Sequence, residues 1–339
     1  MIPFIHVPDL PIGPLTLHPF GLLVATGVII GTWLATRRAR QRGLDLEKLN
    51  SFITWMLIAG FMGGHMLDEI FYHPQELVKR PWSLFFLWEG LSSFGGFTGA
   101  LIGIVLWKYF EAVPLLRTPL FTIPRFKRRP QTMPILPFAD LILSVFPVAW
   151  IFGRSGCSVV HDHLGQRAPA GTPLTVAAGL PDPSKTITIA EWFRADPNGK
   201  MLVTSGQEPQ AMKVRHALEL TFGNQAQFDL GLIEMMFTVV LAALLALTWR
   251  RKLTTGSYVA ATALAYAPVR LAMDFLRLNA SEGNTGDPRY GGFTPGQWAC
   301  VALFTFGLVM VARVRQIRRT GNDPMALVSL PLLSELERR

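Results

Sequence analysis

Seven apolar stretches, each long enough to cross a hydrocarbon core of about 30 Å as a helix, are spaced along this chain. They run approximately Phe20–Thr36, Phe52–Tyr72, Leu91–Phe110, Leu136–Gly156, Leu230–Trp249, Tyr258–Leu276 and Trp298–Val314. Half of the residues are hydrophobic and 16% are charged, with a mean hydropathy of +0.32. The expected fold is therefore an all-α polytopic membrane protein of seven transmembrane helices.

Orientation follows from where the arginines and lysines sit. Arg37, Arg38, Arg40 and Arg42 follow the first stretch, and Lys108, Arg117, Arg125, Lys127, Arg128 and Arg129 follow the third. Arg250, Arg251 and Lys252 follow the fifth, and Arg313, Arg315, Arg318 and Arg319 end the seventh. The opposite side is poorer, with none in Met1–Pro19, then Lys79 and Arg80, then a long loop of mixed charge. This places the N-terminus outside and the C-terminus inside. The net charge of +9 is mostly this inner collar, which suits anionic lipid rather than nucleic acid. No basic region precedes the first apolar stretch, so no secretory signal peptide is expected. The two cysteines, Cys157 and Cys300, make neither a disulfide framework nor a metal spacing.

Two connections stand apart from the rest. Val159–Gln227 is polar and rich in Gly, Pro and Thr, too long for a simple link, and reads as a small outer head. Within it, Thr172–Ala177 and Lys185–Ala190 read as strands and Met212–Phe222 as a short helix. On the inner side, Val113–Gln131 is basic and proline-rich and is expected to be irregular.

Charges inside the apolar runs carry the functional signal. A guanidinium at the centre of a spanning helix costs roughly 2.5–3.5 kcal/mol on insertion scales, so it faces a partner, a cavity or an anion. Arg154, within Gly153-Arg154-Ser155-Gly156-Cys157, ends the fourth stretch and Arg270 lies within the sixth. Two such forks near one face of a bilayer form a bidentate clamp for phosphate, so a phospholipid head group is the expected ligand. The acids Asp140, Glu234 and Asp274, and His65, Asp68 and Glu69, read first as structural partners. Asp274 lies one helical turn beyond Arg270 and can pair with it.

His161-Asp162-His163 follows Arg154 closely and offers groups that accept a proton near neutral pH. A His-x-His pattern can ligate a metal, but no nearby Cys or further His makes a convincing third ligand, so it points first to acid–base work or ligand orientation, with a plain polar turn as the alternative. Gly60, Gly63 and Gly64, and Gly95, Gly96, Gly99 and Gly103, recur at helical spacing, as close helix packing requires. Gly95 and Gly96 could also open a break at which backbone N–H groups approach a phosphate.

Together these residues resemble the bacterial prolipoprotein diacylglyceryl transferases over nearly the whole chain. The resemblance rests on Gly13-Pro14-Leu15-Thr16-Leu17-His18-Pro19-Phe20-Gly21-Leu22 and on Trp88-Glu89-Gly90 with Ser93-Phe94-Gly95-Gly96. It rests further on Gly153-Arg154-Ser155-Gly156 ending in Gly165, with Asp140 at the family's spacing before it. Tyr266-Ala267-Pro268-Val269-Arg270 with Asp274-Phe275-Leu276-Arg277, and Gly296-Gln297 at the last span, complete it. The resemblance implies a multi-pass protein of the bacterial inner membrane. Residues 1–19 would be a periplasmic arm, 20–158 spans one to four with a cytoplasmic insertion at 113–131, 159–227 a periplasmic head, 228–314 spans five to seven and 315–339 a cytoplasmic tail.

It also implies a reaction: the diacylglyceryl group of phosphatidylglycerol moves to the lipobox cysteine of a prolipoprotein signal peptide, and glycerol phosphate leaves. Neither metal nor organic cofactor is implied. Arg154 and Arg270 would bind the phosphate, Asp162 and Glu234 would orient groups around it, and Gly95, Gly96 and Gly165 would line the substrate. This chain departs from the family pattern at Phe20, Phe94, Cys157, Val160 and Asp162, and before Glu234 at Phe228-Asp229-Leu230-Gly231-Leu232-Ile233. Phe94 cannot serve as a base, so either that group is dispensable or His161 or His163 takes its role. Two other readings are a divergent transferase with another head group or thiol acceptor, and a non-enzymatic lipid or anion transporter. The transporter fits less well because no internal repeat is visible.

Overall fold

Helices form within all seven apolar stretches. The computed structural model describes residues 10–12, 15–85, 90, 92–117, 122–160, 163–168, 175–177, 200–205, 207–213, 226–277 and 289–329. A hairpin of β1 (Leu10–Ile12) and β2 (Leu15–Leu17) leads into α1 (Pro19–Arg42). Next come α2 (Leu46–Tyr72), the short α3 (Pro74–Lys79), a 3-10 turn at Pro81–Phe85 and α4 (Ser93–Tyr109). Strands β3 (Phe110–Arg117) and β4 (Thr122–Arg128) precede α5 (Leu136–Leu143) and α6 (Phe146–Val160). Five short strands follow: β5 (Leu164–Ala168), β6 (Thr175–Ala177), β7 (Lys200–Ser205), β8 (Gln207–Lys213) and β9 (Ala226–Asp229). The chain closes with α7 (Leu230–Ala246), α8 (Ser257–Asp274), α9 (Pro295–Thr320) and a 3-10 turn at Pro324–Leu327.

The fold is thus mostly helical, with strands that an all-α reading did not include. By length and composition α1 and α9 can each cross a membrane, α7 is a shorter apolar helix, and α5 with α6 makes one further span if taken together. That pair bends by 54°, so Leu136–Gly156 is not the single straight helix expected. Pro147 opens α6 and fits only near a helix start, where no backbone N–H is needed. The basic insertion is not irregular either. Strands β3 and β4 pair antiparallel from Phe110↔Arg128 to Arg117↔Thr122, with a bulge at Pro114/Leu116. In the outer segment Thr175–Ala177 is a strand as expected, pairing with β9, which also pairs with β5. Met212 and Lys213 belong to strand β8 rather than to a helix, and Lys185–Ala190 lies outside the described residues.

The chain divides into two compact units. In the unit that holds α2 and α4, glycines set the packing. A Cβ on Gly99 would collide with Ala59 O and approach Gly63 Cα at 2.9 Å, and one on Gly95 would meet Gly63 O at 2.5 Å. Such close backbone approach is how small residues hold apolar helices together. Gly96 is different, since its nearest neighbour, Gly60 O, would be 3.9 Å away. A Gly99→Val variant is expected to lose about 1–3 kcal/mol to overpacking, whereas Gly96→Ala keeps its stability; thermal unfolding in detergent compares the two.

Acids of α2 find structural partners here. Ser83 Oγ donates to Glu69 Oε2 (2.6 Å), His65 Nε2 lies 2.9 Å from Ser83 O and its Nδ1 3.2 Å from Gly90 O, and His73 Nδ1 stands 3.6 Å from Asp68 Oδ2. An aromatic cluster of Phe52, Trp107 and Phe138 is fully buried, with ring centroids 4.9 to 5.7 Å apart. Arg129 locks the hairpin base by donating to Trp107 O and Phe110 O at 3.2 and 3.1 Å. Asp323 accepts from the Thr255 hydroxyl, from Thr255 N and from Met325 N. Burial opposes ionisation of Asp323, but these bonds and the charge of Arg42 outweigh it and hold the carboxyl below its usual value.

Candidate functional site

The other unit contains α6, α7 and α8, and their facing sides carry the charges. On α6, Trp150 and Arg154 are one turn apart, so the long arginine side chain folds back over the indole. The guanidinium carbon lies 4.6 Å from the Trp150 ring centre, and Arg154 Nε meets Glu234 Oε1 of α7 at 2.9 Å. Glu234 is positioned by the start of its helix. Asp229 caps α7 by accepting from Leu232 N at 2.9 Å, and Ser158 Oγ of α6 donates to the other oxygen of Asp229 at 2.9 Å. Glycine at 231 is required because a Cβ there would fall 2.8 Å from Ser158 N.

Glu234 Oε1 takes two further donors, Trp150 Nε1 at 3.0 Å and the Tyr266 hydroxyl of α8 at 2.6 Å. Both side chains of the ion pair are buried, at 6% and 3% exposure. A pair withdrawn from water this far depends on further bonds to its members, and on the Glu234 side the two aromatic donors supply them. Arg154 Nη1 also approaches Cys157 Sγ at 3.6 Å.

Tyr266, Arg270 and Asp274 follow one another at intervals of four along α8 and share one stripe of the helix. Arg270 Nη1 and Arg277 Nη1 each lie 3.6 Å from Asp274 Oδ1, so the expected Arg270–Asp274 pair forms and acquires a third member. Thr294 Oγ1 donates to Asp274 Oδ2 at 2.8 Å. Thr294 also caps α9 with Gln297, each side chain accepting from the other's backbone N–H, a reciprocal capping box with Pro295 at the first helical position.

Of the residues expected from sequence, Arg154, Glu234, Arg270 and Asp274 converge in this unit. Gly165 is buried in β5, bridged to Arg277, where a Cβ would fall 2.5 Å from Leu276 O. His163 joins the cluster's edge through its carbonyl, which accepts from Leu230 N at 3.1 Å. His161 and Asp162 lie outside the described residues. Gly95 and Gly96 belong to the first turn of α4 in the other unit, with Gly95 N on Ser92 Oγ and Gly96 N on Ser92 O. Sequence reasoning passed over Trp150 and Thr294, and did not assign Tyr266 or Arg277 a role. Their signal was spacing: Trp150 stands four before Arg154 and Tyr266 four before Arg270.

Among the described residues, the guanidiniums of Arg154, Arg270 and Arg277 meet the carboxylates of Glu234 and Asp274. Apolar helices that bury such a network define a helical membrane protein. The chain belongs to the prolipoprotein diacylglyceryl transferase family, whose profile matches residues 9–313. The phosphatidylglycerol–prolipoprotein diacylglyceryl transferase of Klebsiella pneumoniae is 26% identical over 319 residues, covering 91% of this chain and 94% of that one. Those of Nitratidesulfovibrio vulgaris and Nitrobacter winogradskyi are 27% and 24% identical, covering 90% and 88% of this chain and 92% and 85% of their own.

Proposed function

We propose that this chain is a phosphatidylglycerol–prolipoprotein diacylglyceryl transferase of the bacterial inner membrane. On this reading α1, α2, α4, the bent α5–α6, α7, α8 and α9 are its seven spans, with the N-terminus periplasmic and the C-terminus cytoplasmic. The lipobox cysteine of a prolipoprotein signal peptide is the acceptor, and the segment 159–227 guides that peptide. Family membership supports the reaction class, and the observation that carries the site is Arg154 fixed on buried Glu234, which also accepts from Tyr266, one turn before Arg270 on α8.

The acceptor thiolate attacks the glyceryl carbon that bears the phosphate ester. The S–C bond forms as the C–O bond breaks, and the electron pair leaves with glycerol phosphate. A phosphodiester with one negative charge thereby becomes a monoester approaching two. Guanidiniums aimed at that phosphate bind the transition state more tightly than the ground state, which is what lowers the barrier. Arg154 and Arg270 carry this role, Glu234 orients Arg154, and Asp162, Gly95, Gly96 and Gly165 line the substrate. The thiol needs a base to ionise near neutral pH, and His161 or His163 supplies it.

Purified protein incubated with phosphatidylglycerol and a lipobox peptide tests the reading by mass spectrometry. The peptide cysteine is expected to gain the diacylglyceryl mass. Arg154→Ala and Arg270→Ala each lower the rate of that gain by at least about 10²–10³-fold, and His161→Ala/His163→Ala lowers it by about 10²–10⁴-fold. Wild-type protein that adds no mass to the peptide overturns the proposal.

A further inference from the structure

Trp150 touches both members of the buried ion pair. Its ring face lies 4.6 Å from the Arg154 guanidinium carbon, and its N–H donates to Glu234 Oε1 at 3.0 Å. Behind it, one turn back on α6, Phe146 stacks on the indole with centroids 5.4 Å apart and planes 29° from parallel. Phe146, Trp150 and Arg154 therefore form a ladder at intervals of four along a single helix face. Tyr266 reaches Glu234 Oε1 but not the guanidinium in this way, and its ring leans on Phe237 at 6.3 Å instead.

We propose that Trp150 is a positioning residue of the anion site, setting the plane of the Arg154 guanidinium through its ring while anchoring Glu234 through its N–H. The inference rests on Arg154 being the phosphate-binding group. A guanidinium bonds anions in its own plane, so an indole held 4.6 Å from its central carbon restricts the directions in which Arg154 can donate. The same ring takes solvent away from the guanidinium, where a cation–π contact gains most. The indole N–H adds a bond to a charged acceptor, which a phenyl ring in the same place lacks. An aliphatic side chain there would supply neither contact, leaving the arginine plane to rotate about its bond to Glu234.

The test is a double-mutant cycle between Trp150 and Arg154, read on phosphatidylglycerol affinity by native mass spectrometry and on kcat/KM for the lipobox peptide. Trp150→Leu is expected to weaken both by about 30- to 100-fold, the combined weight of the ring contact and the charged hydrogen bond. Trp150→Phe keeps the ring and is expected to lose about three- to tenfold. In an Arg154→Lys background, which has no planar fork to orient, Trp150→Leu costs less than about threefold further. A purely structural tryptophan would multiply the loss equally in both backgrounds, and that result overturns the proposal, as does a Trp150→Leu protein that binds like wild type. The binding cycle needs no turnover, so a protein that binds the lipid without transferring it defeats the functional reading while still deciding this one.

Discussion

Arg154→Ala is expected to lower product formation by at least about 10²–10³-fold for the missing donor alone. It is also expected to weaken the fold, because Glu234 would remain buried with only Trp150 and Tyr266 as donors. Breaking one side of a buried pair costs about 3–5 kcal/mol, a large part of a typical stability margin. The two effects separate in Arg154→Ala/Glu234→Gln. The neutral amide oxygen still accepts from the indole and the phenol, so thermal stability in detergent should recover by a few kcal/mol while activity stays low. Arg154→Lys keeps the charge but not the planar fork, and is expected to fall between wild type and Arg154→Ala. A double variant that regained activity would show that Arg154 serves only the fold.

The positions of Arg154 and Arg270 were legible in the sequence because a guanidinium in an apolar run is costly enough to demand an explanation. The Arg270–Asp274 pair was legible for a second reason, a spacing of four on one helix, and the structure adds Arg277 to it. The partner of Arg154 was not. Glu234 is 80 residues further along the chain, and nothing local announces a contact made by two helices packing together. Trp150 and Tyr266 were hidden for the opposite reason: aromatic residues in an apolar stretch resemble core filling, and only the donor on each ring distinguishes them.

At the level of the fold, apolar length marked all seven helical regions, yet it could not reveal the bend between α5 and α6. Pro147 was the available sign, since a proline inside an apparent span has to mark a start or a break. The β3–β4 hairpin was obscured by its lysines, arginines and prolines. Its prolines sit directly opposite each other at Pro114↔Pro124, beside the bulge, where the ladder is interrupted and the missing N–H groups do least harm. The glycines of α2 and α4 were read for packing, and Gly99 and Gly95 fulfil that reading at contact distance.

Arg270→Ala is expected to be the cleaner loss of function of the two arginines. The Arg270 side chain is 27% exposed, and its partner Asp274 keeps Arg277 at 3.6 Å and the Thr294 hydroxyl at 2.8 Å. Removing a partly solvated member of a three-membered cluster should cost about 1 kcal/mol or less, so the variant folds and melts nearly as wild type. Transfer to the lipobox peptide should nevertheless fall by about 10²–10³-fold, since a donor to the developing phosphate charge is gone. Asp274→Asn reverses the pattern. It leaves two guanidiniums without their buried counter-charge, so stability falls first. Combining Arg270→Ala with Arg154→Ala/Glu234→Gln should then cost far less than the product of the separate losses, because in the proposed mechanism both guanidiniums act on one phosphate. Peptide mass gain and thermal unfolding, measured side by side, check each of these outcomes. A stable Arg270→Ala protein with undiminished transfer would move the phosphate away from α8 altogether and leave Arg277 and Asp274 as a purely structural brace on α9.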